Sequence, residues 1–225
     1  MATLTTTAPF YFSFKRYIQV TTLLLSTAFY PLLCFGASDG HLSMGMLTAT
    51  KKIDDKHTLY FGGGTLVENF KGEIATIGVA GKLTKAISWQ SAYFIYSARS
   101  QGEERHYDHR LRGSLTYKHD FGEWRFSHRS RVEYRRGDVL DGFRYRPAFN
   151  LSHPLSVVGI KLRPYIEYEP FYDFRKHANT LSLYSAGAII PVHQRVTLIA
   201  AYFHIHNQED STHTFGPQIM LNIQL

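Results

Sequence analysis

Residues 125–136 read RFSHRSRVEYRR, with Arg125, Arg129, Arg131, Arg135, Arg136 and Glu133 set among aromatic and small residues. Successive side chains of a strand point to opposite faces. At that period Arg125, Ser127, Arg129, Arg131, Glu133 and Arg135 share one face, and Trp124, Phe126, Val132 and Tyr134 share the other. Arg136 alone departs from the pattern, at the expected outer end of the strand.

The alternation continues in both directions. Leu111, Leu115 and Tyr117 oppose Arg110, Arg112, Ser114, Thr116 and Lys118. Phe143, Tyr145, Phe149 and Leu151 oppose Arg144, Arg146, Asn150 and Ser152. Ile160, Leu162, Ile166 and Tyr168 oppose Lys161, Arg163, Tyr165, Glu167 and Glu169. The last stretch sets Phe215, Pro217, Ile219, Leu221, Ile223 and Leu225 against Thr214, Gly216, Gln218, Met220, Asn222 and Gln224.

The chain has 225 residues, 44% hydrophobic and 15% aromatic, which suits one folded domain and excludes a disordered one. The net charge of +7 and pI near 9.4 raise nucleic acid as a partner. The basic residues are spread through strand-like segments and not gathered into a tail or helix face, so nucleic acid is set aside.

Lys15 and Arg16 precede the apolar run YIQVTTLLLSTAFYPLLCFG, which ends in small residues. We read residues 1–36 as an N-terminal extension and cleaved signal peptide, and 37–225 as the exported domain; a retained anchor is the alternative. Cys34, the only cysteine, lies inside that signal behind Pro31, Leu32 and Leu33, which lack the small residues of a lipoprotein site.

Beyond residue 37 no apolar run reaches the roughly 20 residues of a membrane helix. Eleven strand candidates follow, near 41–53, 57–69, 73–85, 87–99, 109–119, 123–136, 143–153, 157–172, 180–192, 195–207 and 213–225. Short connections (TKA, FGE, VHQ) alternate with longer polar ones (RSQGEERHYDH, GDVLDG, DFRKHAN, NQEDSTH), the rhythm of tight periplasmic turns and longer external loops. The expectation is an all-β fold: a transmembrane antiparallel up-and-down β-barrel in the outer membrane of a Gram-negative bacterium. Because bacterial single-chain barrels normally hold an even number of strands, ten are favoured and twelve are the alternative. Pro147, Pro164, Pro170 and Pro217 each lack a donor and stand against a continuous ladder.

The stretches GSLTYKHDFGEWRFSHRSRVEYRR, FRYRPAFNLSHPL and LRPYIEYEPFYDF resemble the exported family known as domain of unknown function 2490. The motif residues are Arg129, Arg131, Glu133 and Arg135, then Arg144 and Arg146, then Glu167 or Glu169 before Phe171. The resemblance implies a small outer-membrane barrel and carries no activity. Residues 214–225, with TFGPQIML, resemble the signal read by the barrel-assembly machinery, and outer-membrane lipid is the expected surround.

Inside such a barrel the charged face becomes the lumen. Arg110, Arg112, Lys118, Arg125, Arg129, Arg131, Arg135, Arg144, Arg146, Lys161 and Arg163 face Glu133, Glu167 and Glu169 there. This predicts an arginine–glutamate network that plugs the lumen, or else a passage or site for small anions. Two other constellations carry chemistry. His128 and Ser130 form a His-x-Ser pair on the lipid-facing parity, the pattern of a lipid-modifying enzyme, with Glu133 on the wrong parity to orient it. His204, His206 and His213 have spacing that could chelate zinc. A surface binding module would act through loops 100–109 and 207–213. No cofactor motif is present: GGG at 62–64 lacks the following lysine and helix of a phosphate loop.

Overall fold

The computed structural model describes residues 40–67, 70–100, 104–137 and 141–225; the signal segment lies outside these. Thirteen strands follow in chain order: β1 (Gly40–His41), β2 (Ser43–Lys52), β3 (His57–Val67), β4 (Phe70–Lys82), β5 (Ile87–Ser100), β6 (His106–Phe121), β7 (Trp124–Gly137), β8 (Asp141–Ser152), β9 (Leu155–Val157), β10 (Ile160–Asp173), β11 (Ala178–His193), β12 (Val196–Asn207) and β13 (His213–Gln224). Eleven of these are long. They pair in sequence order and close into a barrel when β13 meets β2. The glycine tract at 62–64 is regular strand within β3.

The count of eleven falls between the ten and twelve expected. Neighbouring long strands run antiparallel, and in such a meander the first and last strands are parallel when the number is odd. Accordingly β2 and β13 close in parallel, from Met44↔Gln218 to Thr50↔Gln224. The short β1 continues the same register on β13, at Gly40↔Thr214 and His41↔Phe215. An even count follows only if the closure must be antiparallel, and this seam is not.

The four objecting prolines all sit where a ladder is already interrupted. Between β8 and β10 the pairing passes from Phe149↔Tyr168 to Tyr145↔Tyr172, and the omitted rungs put Pro147 opposite Pro170. Their missing donors therefore face one another. Pro164 lies where β8 hands over to β9, and Pro217 lies in the gap between the β1 and β2 pairings on β13. Each proline removes a hydrogen bond that the geometry does not use.

Side-chain polarity is inverted relative to a water-soluble barrel. Leu111 is 58% exposed and Ile166 60%, whereas Glu133 is fully buried and Arg135 and Arg144 are 3% and 4% exposed. An outer surface of Leu, Ile, Phe, Tyr and Trp around a charged interior is stable only in lipid. The long strands span 10–16 residues, enough for the 9–11 that a tilted strand needs to cross the hydrocarbon. The protein is a transmembrane β-barrel.

At one short turn, Asp54 accepts hydrogen bonds from His57 Nδ1 at 2.9 Å, from Lys56 N at 2.7 Å and from His57 N at 2.8 Å. The His57 ring, then the two backbone amides, hold its carboxyl at about 2. A carboxylate depressed on folding contributes stability that is complete above its unfolded value near pH 4 and is lost as pH falls through the folded value. The stability difference between wild type and Asp54→Asn, from guanidinium unfolding in micelles, should hold steady from pH 7 to about pH 4 and shrink toward pH 2. A second expectation concerns the seam. A Cβ on Gly216 would lie 1.6 Å from the Leu42 carbonyl oxygen, while one on Gly113 meets nothing within 4 Å. Gly216→Val should lower the temperature at which the barrel loses its compact migration in detergent gels, and Gly113→Val should leave it unchanged.

Candidate functional site in the lumen and on the outer wall

The lumen wall formed by β6, β7, β8 and β10 carries the charge. Inward residues of neighbouring strands face one another in register: Arg112↔Glu133, Ser114↔Arg131, Arg131↔Arg146 and Glu133↔Arg144. The alternation of RFSHRSRVEYRR thus meets a second arginine pair from FRYRP, and carboxylates from two strands are set between them.

Glu133 is the hub. Its Oε2 accepts from Arg144 Nη2 at 2.6 Å and Nε at 3.1 Å, and its Oε1 from Arg146 Nη1 at 3.0 Å. Arg112 Nε lies 2.8 Å from Oε1 but off the direction of a hydrogen bond. Glu169, the second hub, bonds Arg129 Nη2 at 2.9 Å and Arg146 Nη2 at 3.0 Å. Arg146 therefore links the two carboxylates. At the edges Arg135 pairs with Asp173, and Arg110 binds Asp108 through two nitrogens. Aromatic rings floor the lattice: the Arg112 guanidinium lies 3.4 Å from the centroid of Phe94, and that of Arg146 4.0 Å from Phe171. Such stacking suits the flat, weakly hydrated guanidinium.

The remaining residues expected in the network lie elsewhere. Arg125 pairs with Asp120 at the mouth, with Nε 2.6 Å from Oδ1, and its side chain is well exposed. Glu167 accepts from Asn150 Nδ2 at 3.2 Å. Lys118 and Lys161 are exposed near the short-turn end, and Arg163 is half-buried there, opposite Ile189; none of the three belongs to the lattice. Asp108, Asp173 and Phe94 are missed by the sequence reading, and Phe171 enters it only as the aromatic of the family motif. Asp108 and Asp173 share the parity of the charged faces but lie one residue outside the strand limits drawn at 109 and 172, and the two phenylalanines are apolar members of a polar face.

The sequence matches the family of proteins of unknown function, DUF2490, over residues 45–215. The chain belongs to the DUF2490 family. No curated protein sequence matches it. Among solved structures, LpxR from Salmonella typhimurium is similar, with a TM-score of 0.51 and 9% identity over 75% of this chain and 83% of that one. The beta domain of the Bordetella autotransporter BrkA is also similar, with a TM-score of 0.52 and 11% identity over 76% of this chain and 82% of that one. At these identities the likeness is one of fold.

The outer wall of this DUF2490 barrel carries a second organised region. His128, Phe149, Tyr168, Tyr184, His204 and Phe215 stand directly opposite one another across β7, β8, β10, β11, β12 and β13. Their rings form one row, with centroids 4.7 Å apart for His128 and Phe149, 5.0 Å for Tyr168 and Tyr184, and 4.3 Å for His204 and Phe215. Beside it runs an apolar groove of about 550 Å³ lined by Phe126, Leu151, Ile166, Ala186 and Tyr202.

His128 and Ser130 meet near one end of that groove, with Nε2 3.1 Å from Oγ, and Ser130 Oγ lies 3.0 Å from the Tyr145 hydroxyl. His128 Nδ1 is buried with no hydrogen-bond partner. Glu133 is on the other side of the wall, held by arginines, so no carboxylate among the described residues orients this imidazole. His204, His206 and His213 also come together: His204 Nε2 is 2.9 Å from His213 Nδ1, and the His206 and His213 rings stack at 4.6 Å and 8°. Parallel rings do not aim their nitrogens at one point, and no His, Cys, Asp and Glu group among the described residues could hold a metal ion.

The charge lattice predicts a large penalty for losing its hub. Glu133→Gln leaves Arg112, Arg144 and Arg146 sharing a neutral amide and should cost about 3–5 kcal/mol, the scale for breaking a buried ion pair. Arg125→Gln, at the mouth, should cost no more than about 1 kcal/mol. Guanidinium titration of folding into lipid vesicles measures both.

Proposed function

We propose that this DUF2490 chain is an outer-membrane barrel without enzymatic activity, whose arginine-lined lumen is a narrow path for small inorganic anions. The observation that carries this reading is the charge balance of the lumen wall. Arg110, Arg112, Arg129, Arg131, Arg135, Arg144 and Arg146 outnumber Asp108, Glu133, Glu167, Glu169 and Asp173 by two. A ring of arginine lowers the barrier for anions and raises it for cations. Size follows from the packing: eight strands enclose a space that side chains fill, sixteen leave an aqueous channel, and this barrel is nearer the former. Residues 1–36 would serve export as a cleaved signal, and 214–225 would be read by the barrel-assembly machinery.

Planar-bilayer recording under chloride and potassium gradients tests the proposal. The expected result is a small conductance whose reversal potential shows anion preference. No conductance, or cation preference, would overturn it.

A second reading rests on the outer wall. Ser130 and His128 have the separation of a nucleophile and its base, and His128 stacks on Phe149, which lines the apolar groove of the outer wall. In this reading an acyl chain occupies the groove and its ester meets Ser130. His128→Ala and Ser130→Ala should then each abolish release of fatty acid from lipid vesicles. Release that persists in either variant removes the enzyme reading.

A further inference from the structure

The charge lattice leaves one cation without a bonding partner. Arg131 makes no hydrogen bond to any described residue, and its nearest carboxylate contact is Nη1 to Glu133 Oε1 at 3.9 Å. Its neighbours in register are Ser114 on one side and Arg146 on the other. Beside it, Arg112 Nε, Arg129 Nε and Arg146 Nε are buried donors with no hydrogen-bond partner. Hydroxyl and amide groups face the same region: Ser114 Oγ lies 3.5 Å from Gln90 Oε1, and Tyr60 bonds Gln90 from β3. Tyr60 can reach across because residue 78 is glycine; a Cβ there would stand 2.5 Å from its hydroxyl.

A low-dielectric wall does not hold two uncompensated positive charges and a set of unsatisfied N–H donors without a counter-charge. Among the described residues no carboxylate approaches Arg131 closer than 3.9 Å. Lumen water reaches the site, since the Arg131 and Arg129 side chains are 13% and 27% exposed. We infer that the lumen holds one resident divalent oxyanion, of the phosphate or sulfate class, bound by Arg131 with Arg112 and Arg129 and faced by Ser114 and Tyr60. A charge of two matches the surplus. A tetrahedral oxyanion presents several acceptors to converging guanidinium forks, which a single chloride cannot do. The inference rests on the arginine-lined lumen proposed above but is distinct from it: it concerns an anion that stays.

Equilibrium dialysis of the folded barrel in detergent against radiolabelled inorganic phosphate and, separately, sulfate is the test, alongside thermal loss of compact gel migration. The expected result is saturable binding of one anion per chain and a thermal midpoint that rises with phosphate or sulfate. Sodium chloride at the same ionic strength should not reproduce the rise. Arg131→Gln should weaken binding by roughly tenfold or more, as expected when a charge-assisted contact is lost. In anion-free buffer the same variant should be more heat-stable than wild type, because it removes an uncompensated charge. Arg125→Gln, whose partner Asp120 lies at the mouth, should bind as wild type does. Absence of saturable binding, an equal effect of chloride, or wild-type binding by Arg131→Gln would each overturn the inference. Binding without bilayer conductance would uphold the site and defeat permeation, and anion conductance without binding would do the reverse.

Discussion

Burial of the Glu133 carboxylate among arginines is the constraint on which the other features depend. A carboxylate with no exposed surface is tolerable only if its charge is met at close range on more than one side. Arg144 and Arg146 from β8 and Arg112 from β6 can do this only if β7 lies between those strands in one register. A slip of one residue would turn Arg125, Arg129, Arg131 and Arg135 toward lipid and Trp124, Phe126 and Tyr134 inward. The ion pairs therefore fix the register as well as neutralise charge, and that register aligns the aromatic row on the opposite surface.

The wall is unevenly built. Across β6, β7, β8 and β10 the lattice ties neighbouring strands through side chains as well as backbone. At the β2–β13 seam the strands run parallel, the pairing is broken opposite Gly216 and Pro217, and the close passage of Leu42 leaves no space for a side chain at 216. Proline is placed with the same economy. Pro147 and Pro170 combine two missing donors in one interruption of the β8–β10 ladder, where two scattered prolines would make two.

Much of this was legible in the sequence because strand geometry has a strict period of two. Parity alone separated Arg129, Arg131, Glu133 and Arg135 from Phe126, Val132 and Tyr134, and the inverted burial of the structure follows that division. Parity also placed His128 and Ser130 on the lipid side and Glu133 away from them, and the structure keeps them on opposite sides of the wall. Strand ends were less legible, because a period does not say where pairing stops. Asp108 and Asp173 fell outside the lattice for that reason, although each neutralises an arginine. Lys161 and Arg163 were counted within it because their parity is right, while their height in the barrel depends on the β9 hairpin beside them.

The sequence by itself determined that this chain forms a transmembrane β-barrel with one apolar and one arginine-rich face, since alternation, loop rhythm and the family motif are local properties. Tertiary structure decided three things that are not local. It set the closure, in which an odd number of strands makes the last pairing parallel. It chose which charges pair, because Glu169 meets Arg129 and Arg146 only after β10 docks beside β8. It also left Arg131 without a hydrogen bond to any described residue, since whether a cation finds a partner depends on distances between strands that no single stretch of sequence contains.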